Sequence, residues 1–205
     1  MSRHRPTVSL PVIESPPFAR DSIAAALRTL HAGSVRYWDA IPADAFFAPL
    51  GSGWSPADNV RHLTKTVRAV TRGLGLPRLV LLLRFGPARG RSRSFDELRA
   101  TYHRALAEGG DAGRFAPSPE RAGADVDARR RAIMAAHADA VEALANALPE
   151  WKESSLDRYR LPHPLLGKLT VREMLLFTLY HNLHHVRVVA RRRGELTDDA
   201  TPLRP

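Results

Sequence analysis

The sequence contains no cysteine among its 205 residues. This absence excludes disulfide bonds, thiolate metal ligands and a cysteine nucleophile, so a metal site would need other side chains. Long hydrophobic runs are also missing, because the most apolar run, residues 79–83, is far too short to span a bilayer. Residues 1–17 lack the continuous apolar segment of a secretory signal. We therefore expect a cytoplasmic protein without a membrane partner.

Lysine is scarce, since 28 of the 31 basic residues are arginine, and the formal net charge is +10 at pH 7. Arginine clusters bind nucleic acids through the charge of the phosphates and the release of counterions. Here the arginines are spread along the chain, and no aromatic residues interleave with them as a base-stacking platform would require. A basic nucleic-acid-binding protein stays open as the least favoured function, and nucleic acid is not an expected partner.

Apolar residues at helical spacing predict an all-α fold built on four long helices. These helices are expected at about 20–41, 56–74, 125–148 and 171–193. No segment alternates between apolar and polar residues with a period of two, so we expect no sheet. Four amphipathic helices joined by loops favour a four-helix bundle.

The predicted helical domain covers residues 20–195, between an extended N-terminal arm at 1–19 and a C-terminal tail at 196–205. A helical insertion at about 78–123 follows the second long helix. Its expected parts are a short helix at 79–85, a basic loop at 86–93, a helix at 94–108 and a flexible linker at 109–123. Local sequence also marks three helix starts, because Ser55, Ser94 and Thr170 are each followed three residues later by a carboxylate that can complete a capping box.

The histidines at 181, 184 and 185 carry the clearest chemical signal. Residues at i and i+4 share a helix face, so the imidazoles of His181 and His185 can converge on one ion. His184 is in phase with Arg187 and Arg191, which predicts that it lies on an outer, polar surface. An exposed histidine cluster on a charged helix is the alternative interpretation of the same pattern.

A third ligand would have to come from another helix, and His62 is the candidate. It is in phase with small and polar residues of the second long helix, such as Asn59, which can orient its ring. His137 is a candidate fourth ligand, although a core histidine explains it more simply. The remaining noted positions are expected to be structural: His31, His103, Trp54 and Trp151.

Two motifs resemble the DinB/YfiT-like superfamily. The first is WSPAD at 54–58 followed by His62, and the second is LTVREML at 169–175 followed by the helix of His181 and His185. The resemblance implies a four-helix bundle of up-down-down-up topology, commonly a homodimer. It also implies a divalent metal, zinc or nickel, held by His62, His181 and His185.

Some members of this family are thiol S-transferases that use low-molecular-weight thiols such as bacillithiol or mycothiol. Many carry H-R-G-Q after the last ligand, whereas residues 185–188 here are H-V-R-V. An ion held by three neutral imidazoles can activate a nucleophile near neutral pH. On that basis we expect a metal-dependent enzyme that activates water or a thiol, of the hydrolase or thiol S-transferase type, acting on a small-molecule substrate. No catalytic base is assigned, because Asp58, the nearest carboxylate in sequence to a ligand, is more simply a helix cap. A non-catalytic metal-binding or interaction bundle is the alternative function.

Overall fold

The computed structural model describes residues 10–196, which form eight α-helices and one β-hairpin. Part of the predicted N-terminal arm, 1–9, and most of the predicted tail, 197–205, lie outside the described residues. The elements in chain order are α1 (Arg20–Ala40), α2 (Ala43–Phe47), α3 (Pro56–Leu74), α4 (Arg78–Phe85), α5 (Phe95–Ala107), α6 (Val126–Ala147), α7 (Ser155–Arg158), β1 (Arg160–His163), β2 (Gly167–Thr170) and α8 (Val171–Arg192).

The mostly helical fold and the four long helices agree with the sequence-based prediction. The three predicted capping boxes are also present, and that of α8 illustrates the geometry. The Thr170 hydroxyl accepts from the Glu173 N–H at 3.1 Å, and the Glu173 carboxylate accepts from the Thr170 N–H at 2.9 Å. These reciprocal bonds satisfy amide groups that have no partner within the helix. None of the helices in residues 10–196 is both long and apolar enough to cross a membrane.

Helix α8 is the central element of the packing. It contacts α1 and α3, and α6 packs against the same two helices. The insertion helix α5 covers a further side of α8. As a result, every residue from 171 to 190 is buried except Arg187, which is half-buried. Burial on all sides is expected where a helix has neighbours all around its axis.

The β-hairpin contradicts the expectation that the chain contains no sheet. Strands β1 and β2 pair antiparallel, with Leu161 opposite Leu169 and both side chains in the core. Each strand has only four residues, so the alternation was too short to be recognised against the surrounding sequence. Gly73 of α3 lets the hairpin approach closely, because a Cβ there would lie 2.9 Å from Cδ2 of Leu161.

The insertion keeps its two predicted helices, which are α4 and α5, but the expected linker at 109–123 is more than a connection. It contains a 3₁₀ turn, Gly113–Phe115, and runs along α3. Arg61 of α3 donates to the Ser118 carbonyl at 2.6 Å, and Asp58 accepts from the Glu120 N–H at 2.9 Å. These bonds tie the segment to the helix that carries His62. The short helices α2 and α7 were not predicted either.

Candidate metal centre

Three histidine side chains converge between α3 and α8. His62 comes from α3, while His181 and His185 lie one turn apart on α8. The Nε2 atom of His181 is 3.3 Å from Nε2 of His62 and 3.0 Å from Nε2 of His185. All three rings are buried, and among residues 10–196 they form the one cluster of at least three candidate ligands able to surround an ion. The structure thus brings together the three residues that the sequence singled out.

Hydrogen bonds at the Nδ1 atoms of two of these rings fix their tautomers. His62 donates from Nδ1 to the Phe115 carbonyl at 2.9 Å, and His185 donates from Nδ1 to Oδ1 of Asn59 at 2.7 Å. The Asn59 amide is itself oriented, because its Nδ2 donates to the Ser55 carbonyl at 2.9 Å. A neutral imidazole with its proton on Nδ1 presents a lone pair at Nε2. Both lone pairs therefore point towards His181.

The donor set fits a divalent transition-metal ion. Three nitrogens at 2.0–2.1 Å from a tetrahedral zinc ion are separated from one another by about 3.3 Å. The Nε2–Nε2 separations of His181 from His62 and from His185 lie at or slightly below that value. Without a cation, the single proton that His181 can place on Nε2 satisfies at most one of the two facing lone pairs. An ion among the three nitrogens would satisfy all of them.

Burial keeps the three imidazoles in the form that binds metal. Desolvation lowers the pKa of His62, and it lowers the pKa values of His181 and His185 well below the ordinary value of 6.5. The neighbouring histidines lower the pKa values of His181 and His185 further, because positive charges on adjacent rings repel. The rings are therefore neutral at pH 7, as metal ligation requires.

The cluster forms part of the wall of a cavity of about 350 Å³. Most of the remaining wall is apolar and comes from α3, the hairpin, α8 and the inserted segment, including Val70, Phe115, Leu161, Leu165, Met174 and Phe177. An apolar cavity with a few convergent polar groups is the usual form of a small-molecule site. A ligand inside this cavity would lie next to the three histidines.

Sequence reasoning missed several residues that shape the site. Trp54 was expected to anchor a helix end, but its ring lies 5.0 Å from that of His62 and is parallel to that of His185 at 6.1 Å. Asn59 was expected to orient His62, whereas it orients His185. The Phe115 carbonyl orients His62 from the inserted segment, and no sequence pattern marks a backbone carbonyl for that role. The sequence could have linked Trp54 to the site, because Trp54 begins the WSPAD segment that precedes His62.

The predicted outer position of His184 is wrong. Its ring is buried, with 1% of its surface exposed, and Tyr102 of α5 lies 5.5 Å away, ring to ring. The cause is the insertion, because α5 covers the face of α8 that would otherwise face solvent. His184 is nevertheless outside the three-histidine cluster.

His137 lies in the core and does not join the cluster. Its ring packs edge-on against that of His31 at 5.3 Å, and burial lowers its pKa to about 3. Its Nδ1 is 3.4 Å from the Thr64 hydroxyl. These contacts support the simpler interpretation, in which His137 is a core histidine.

Comparison with known proteins identifies a family for this chain. The family model described as the DinB superfamily matches residues 20–189, which is most of the chain. A search of curated proteins and a search of solved structures found no match. The family agrees with the resemblance that the two motifs indicated.

Proposed function

The chain belongs to the DinB superfamily, and on that premise we propose that it is a metal-dependent enzyme. In this proposal His62, His181 and His185 bind one divalent ion, zinc or nickel, beside a cavity that receives a small-molecule substrate. The reaction is of the hydrolase or thiol S-transferase type, with water or a low-molecular-weight thiol as the nucleophile. The second candidate, a non-catalytic metal-binding bundle, is less well supported because the three histidines open onto a cavity.

One observation carries the proposal: three Nε2 atoms converge, and the Nδ1 partners of two rings leave their lone pairs facing the third. Hydrogen bonds at the far nitrogen orient metal-binding imidazoles and increase their basicity. A divalent ion held by three neutral imidazoles supplies a Lewis acid that lowers the pKa of a bound water or thiol.

The protein groups have separate tasks in this proposal. The apolar wall excludes water from the substrate, and Phe115 and Asn59 hold the ligand rings in place. Asp58 is not available as a base, since its carboxylate accepts from Ser55 and from the Glu120 N–H. Asp111 is the one carboxylate that lines the cavity within residues 10–196, and it is exposed at the rim.

We also propose the finer features of the fold that the family resemblance implies. The four long helices α1, α3, α6 and α8 would form an up-down-down-up bundle covering residues 20–195, with the insertion at 78–123, and two chains would form a homodimer. The packing of α1 and α3 against both α6 and α8 supports the bundle. A cytoplasmic location remains a prediction.

Metal analysis of protein purified without a histidine tag tests the proposal. We expect about one zinc or nickel ion per chain in the wild type and none in His181→Ala, because removal of one ligand leaves only two. A His137→Ala variant is the control, since His137 is a buried histidine outside the cluster, and it should keep its metal. Equal metal content in wild type and His181→Ala would contradict the site.

The enzymatic part of the proposal needs a second measurement. After cobalt(II) substitution, addition of 2-mercaptoethanol should change the visible absorption spectrum if the ion keeps an open position for a nucleophile. An unchanged spectrum with cobalt bound would favour the non-catalytic alternative.

A further inference from the structure

A fourth histidine, His163, lines the same cavity from the end of β1. Its Nδ1 accepts hydrogen bonds from the backbone N–H groups of Leu165 and Leu166, at 3.2 and 3.1 Å. A backbone N–H group can only donate, so this Nδ1 carries no proton. The proton of the neutral ring is therefore on Nε2, which is the opposite tautomer to that of His62 and His185.

The surroundings of His163 keep it neutral and close to the metal centre. Burial lowers its pKa to about 4, so it is uncharged at pH 7. Phe177 packs edge-on against it at 4.4 Å, and Phe177 also packs against His181, whose ring lies 5.2 Å away and nearly parallel. One phenyl ring thus separates His163 from the three-histidine cluster.

Within residues 10–196 the Nε2–H group of His163 has no hydrogen-bond acceptor, because both hydrogen bonds of the ring are at Nδ1. Much of the surrounding wall is apolar, as at Val70, Met174 and Phe177. His163 is half-buried, so water can reach this donor in the open cavity. A ligand that displaces the water leaves the donor unpaired, at a cost in free energy, unless the ligand itself accepts the hydrogen bond.

We propose that the cavity binds an apolar small molecule carrying a carbonyl oxygen, and that Nε2–H of His163 donates a hydrogen bond to that oxygen. A carbonyl fits better than a carboxylate, because the donor is neutral and an apolar wall makes burial of a charge costly. The proposal rests on the proposed function only for the identification of the cavity as the substrate site. The hydrogen bond itself requires no metal.

The tautomer can be measured directly. Long-range ¹H–¹⁵N NMR spectra of the imidazoles should show His163 as neutral, with its proton on Nε2, at pH 7. A proton on Nδ1, or on both nitrogens, would overturn the inference before any ligand is added.

Ligand binding is best compared with acetophenone and α-methylstyrene, which have nearly the same shape although only acetophenone has an oxygen acceptor. Both are titrated into wild type and into His163→Asn, whose side-chain oxygen can still accept from Leu165 and Leu166 but whose amide cannot reach the position of Nε2. We expect the affinity for acetophenone relative to α-methylstyrene to fall about fivefold in His163→Asn, the effect of one neutral hydrogen bond. An unchanged ratio would overturn the proposal.

Two further arms complete the test. Leu165→Ala is the control, because loss of apolar contact weakens both ligands and should leave their ratio unchanged. Benzoate should bind chelator-treated wild type more weakly than acetophenone, because the apolar wall makes burial of its charge costly, and tighter binding of benzoate would contradict the assignment of a neutral carbonyl. Titrations with zinc-loaded and with chelator-treated protein separate the two proposals. If the protein binds no metal but the ratio still changes, only the proposed function fails.

Discussion

Helix α8 carries buried histidines on two neighbouring faces, and the two faces differ in what the imidazoles contact. On one face, His181 and His185 direct Nε2 towards each other and towards His62 of α3. On the other, His184 packs among the aromatic rings of Tyr102, His103 and Tyr180, and its buried Nε2 has no hydrogen-bond partner in the described chain.

This comparison shows that burial does not distinguish a candidate ligand from a core histidine, since His184 and His185 are each 1% exposed. The pKa is equally uninformative, because desolvation lowers the pKa of both rings. The difference lies in the acceptors at Nδ1 and in the convergence of Nε2 atoms. Asn59 fixes the His185 ring, whereas Nδ1 of His184 is 3.4 Å from the Tyr180 hydroxyl.

The largest expected effect is a difference in zinc binding between alanine variants of the two adjacent histidines. His185→Ala should lose bound zinc, because only two ligands remain, whereas His184→Ala should bind zinc within about twofold of wild type. In contrast, His184→Ala should lose about 1–3 kcal/mol of unfolding free energy, since it leaves a cavity against Tyr102. Zinc titration and urea unfolding of the two variants measure both effects. If His184→Ala loses the ion and His185→Ala keeps it, the ligand pair has been assigned to the wrong face.

A smaller effect is expected from the group that orients His185. Asn59→Ala removes the acceptor at Nδ1, and loss of such a contact typically weakens metal binding by about 10–100-fold. Competition with a chromogenic chelator measures this change. Asn146→Ala is the matched control, because Asn146 contacts Arg28 on the surface and should not alter metal affinity. Equal zinc affinity in Asn59→Ala and wild type would mean that Asn59 does not support a ligand.

Metal removal should have a modest effect on the fold. The ligands lie on α3 and α8, whose core packing and capping boxes do not involve an ion. We expect a chelator to remove only the part of the unfolding free energy that metal binding contributes, and so to lower the melting temperature modestly. The helical circular dichroism below the melting temperature should be unchanged. Complete unfolding on chelation would show that the site is structural, as in small zinc domains.

The weakest expected effect concerns nucleic acid. A basic groove between α3 and α6 is lined by Arg61, Lys65, Arg68 and Arg129, but Glu120 pairs with two of these cations, at 2.9 and 2.7 Å. Binding to duplex DNA and to RNA should be weak, blind to sequence and lost as salt increases. A salt titration with several sequences tests this expectation. Selective binding that survives physiological salt would contradict it and favour a nucleic-acid function.

The parts of the fold that sequence predicted are those specified locally. The long helices follow from apolar spacing, and the starts of α3, α5 and α8 follow from residues three positions apart. The hairpin depends on pairing between two four-residue strands across the turn from His163 to Gly167, which has no local signature of comparable length. The cover that α5 forms over His184 is a tertiary contact and could not be read from the phase of α8 alone.

The candidate site divides in the same way. The pairing of His181 with His185 follows from helix geometry. Helical phase made His62 only a candidate, because its helix is remote in sequence, and the family resemblance was needed to assign it as the third ligand. The contacts of Asn59, Trp54 and the Phe115 carbonyl depend on how α3, α8 and the inserted segment pack, so the sequence does not specify them.

The most direct test of the account is X-ray absorption spectroscopy of the zinc-loaded protein. We expect three imidazole nitrogens at about 2.0–2.1 Å and one oxygen ligand from solvent. His185→Ala should lose this signal, and His184→Ala should keep it. A zinc ion with fewer than three imidazoles, or one whose spectrum changes in His184→Ala but not in His185→Ala, would contradict the proposed centre.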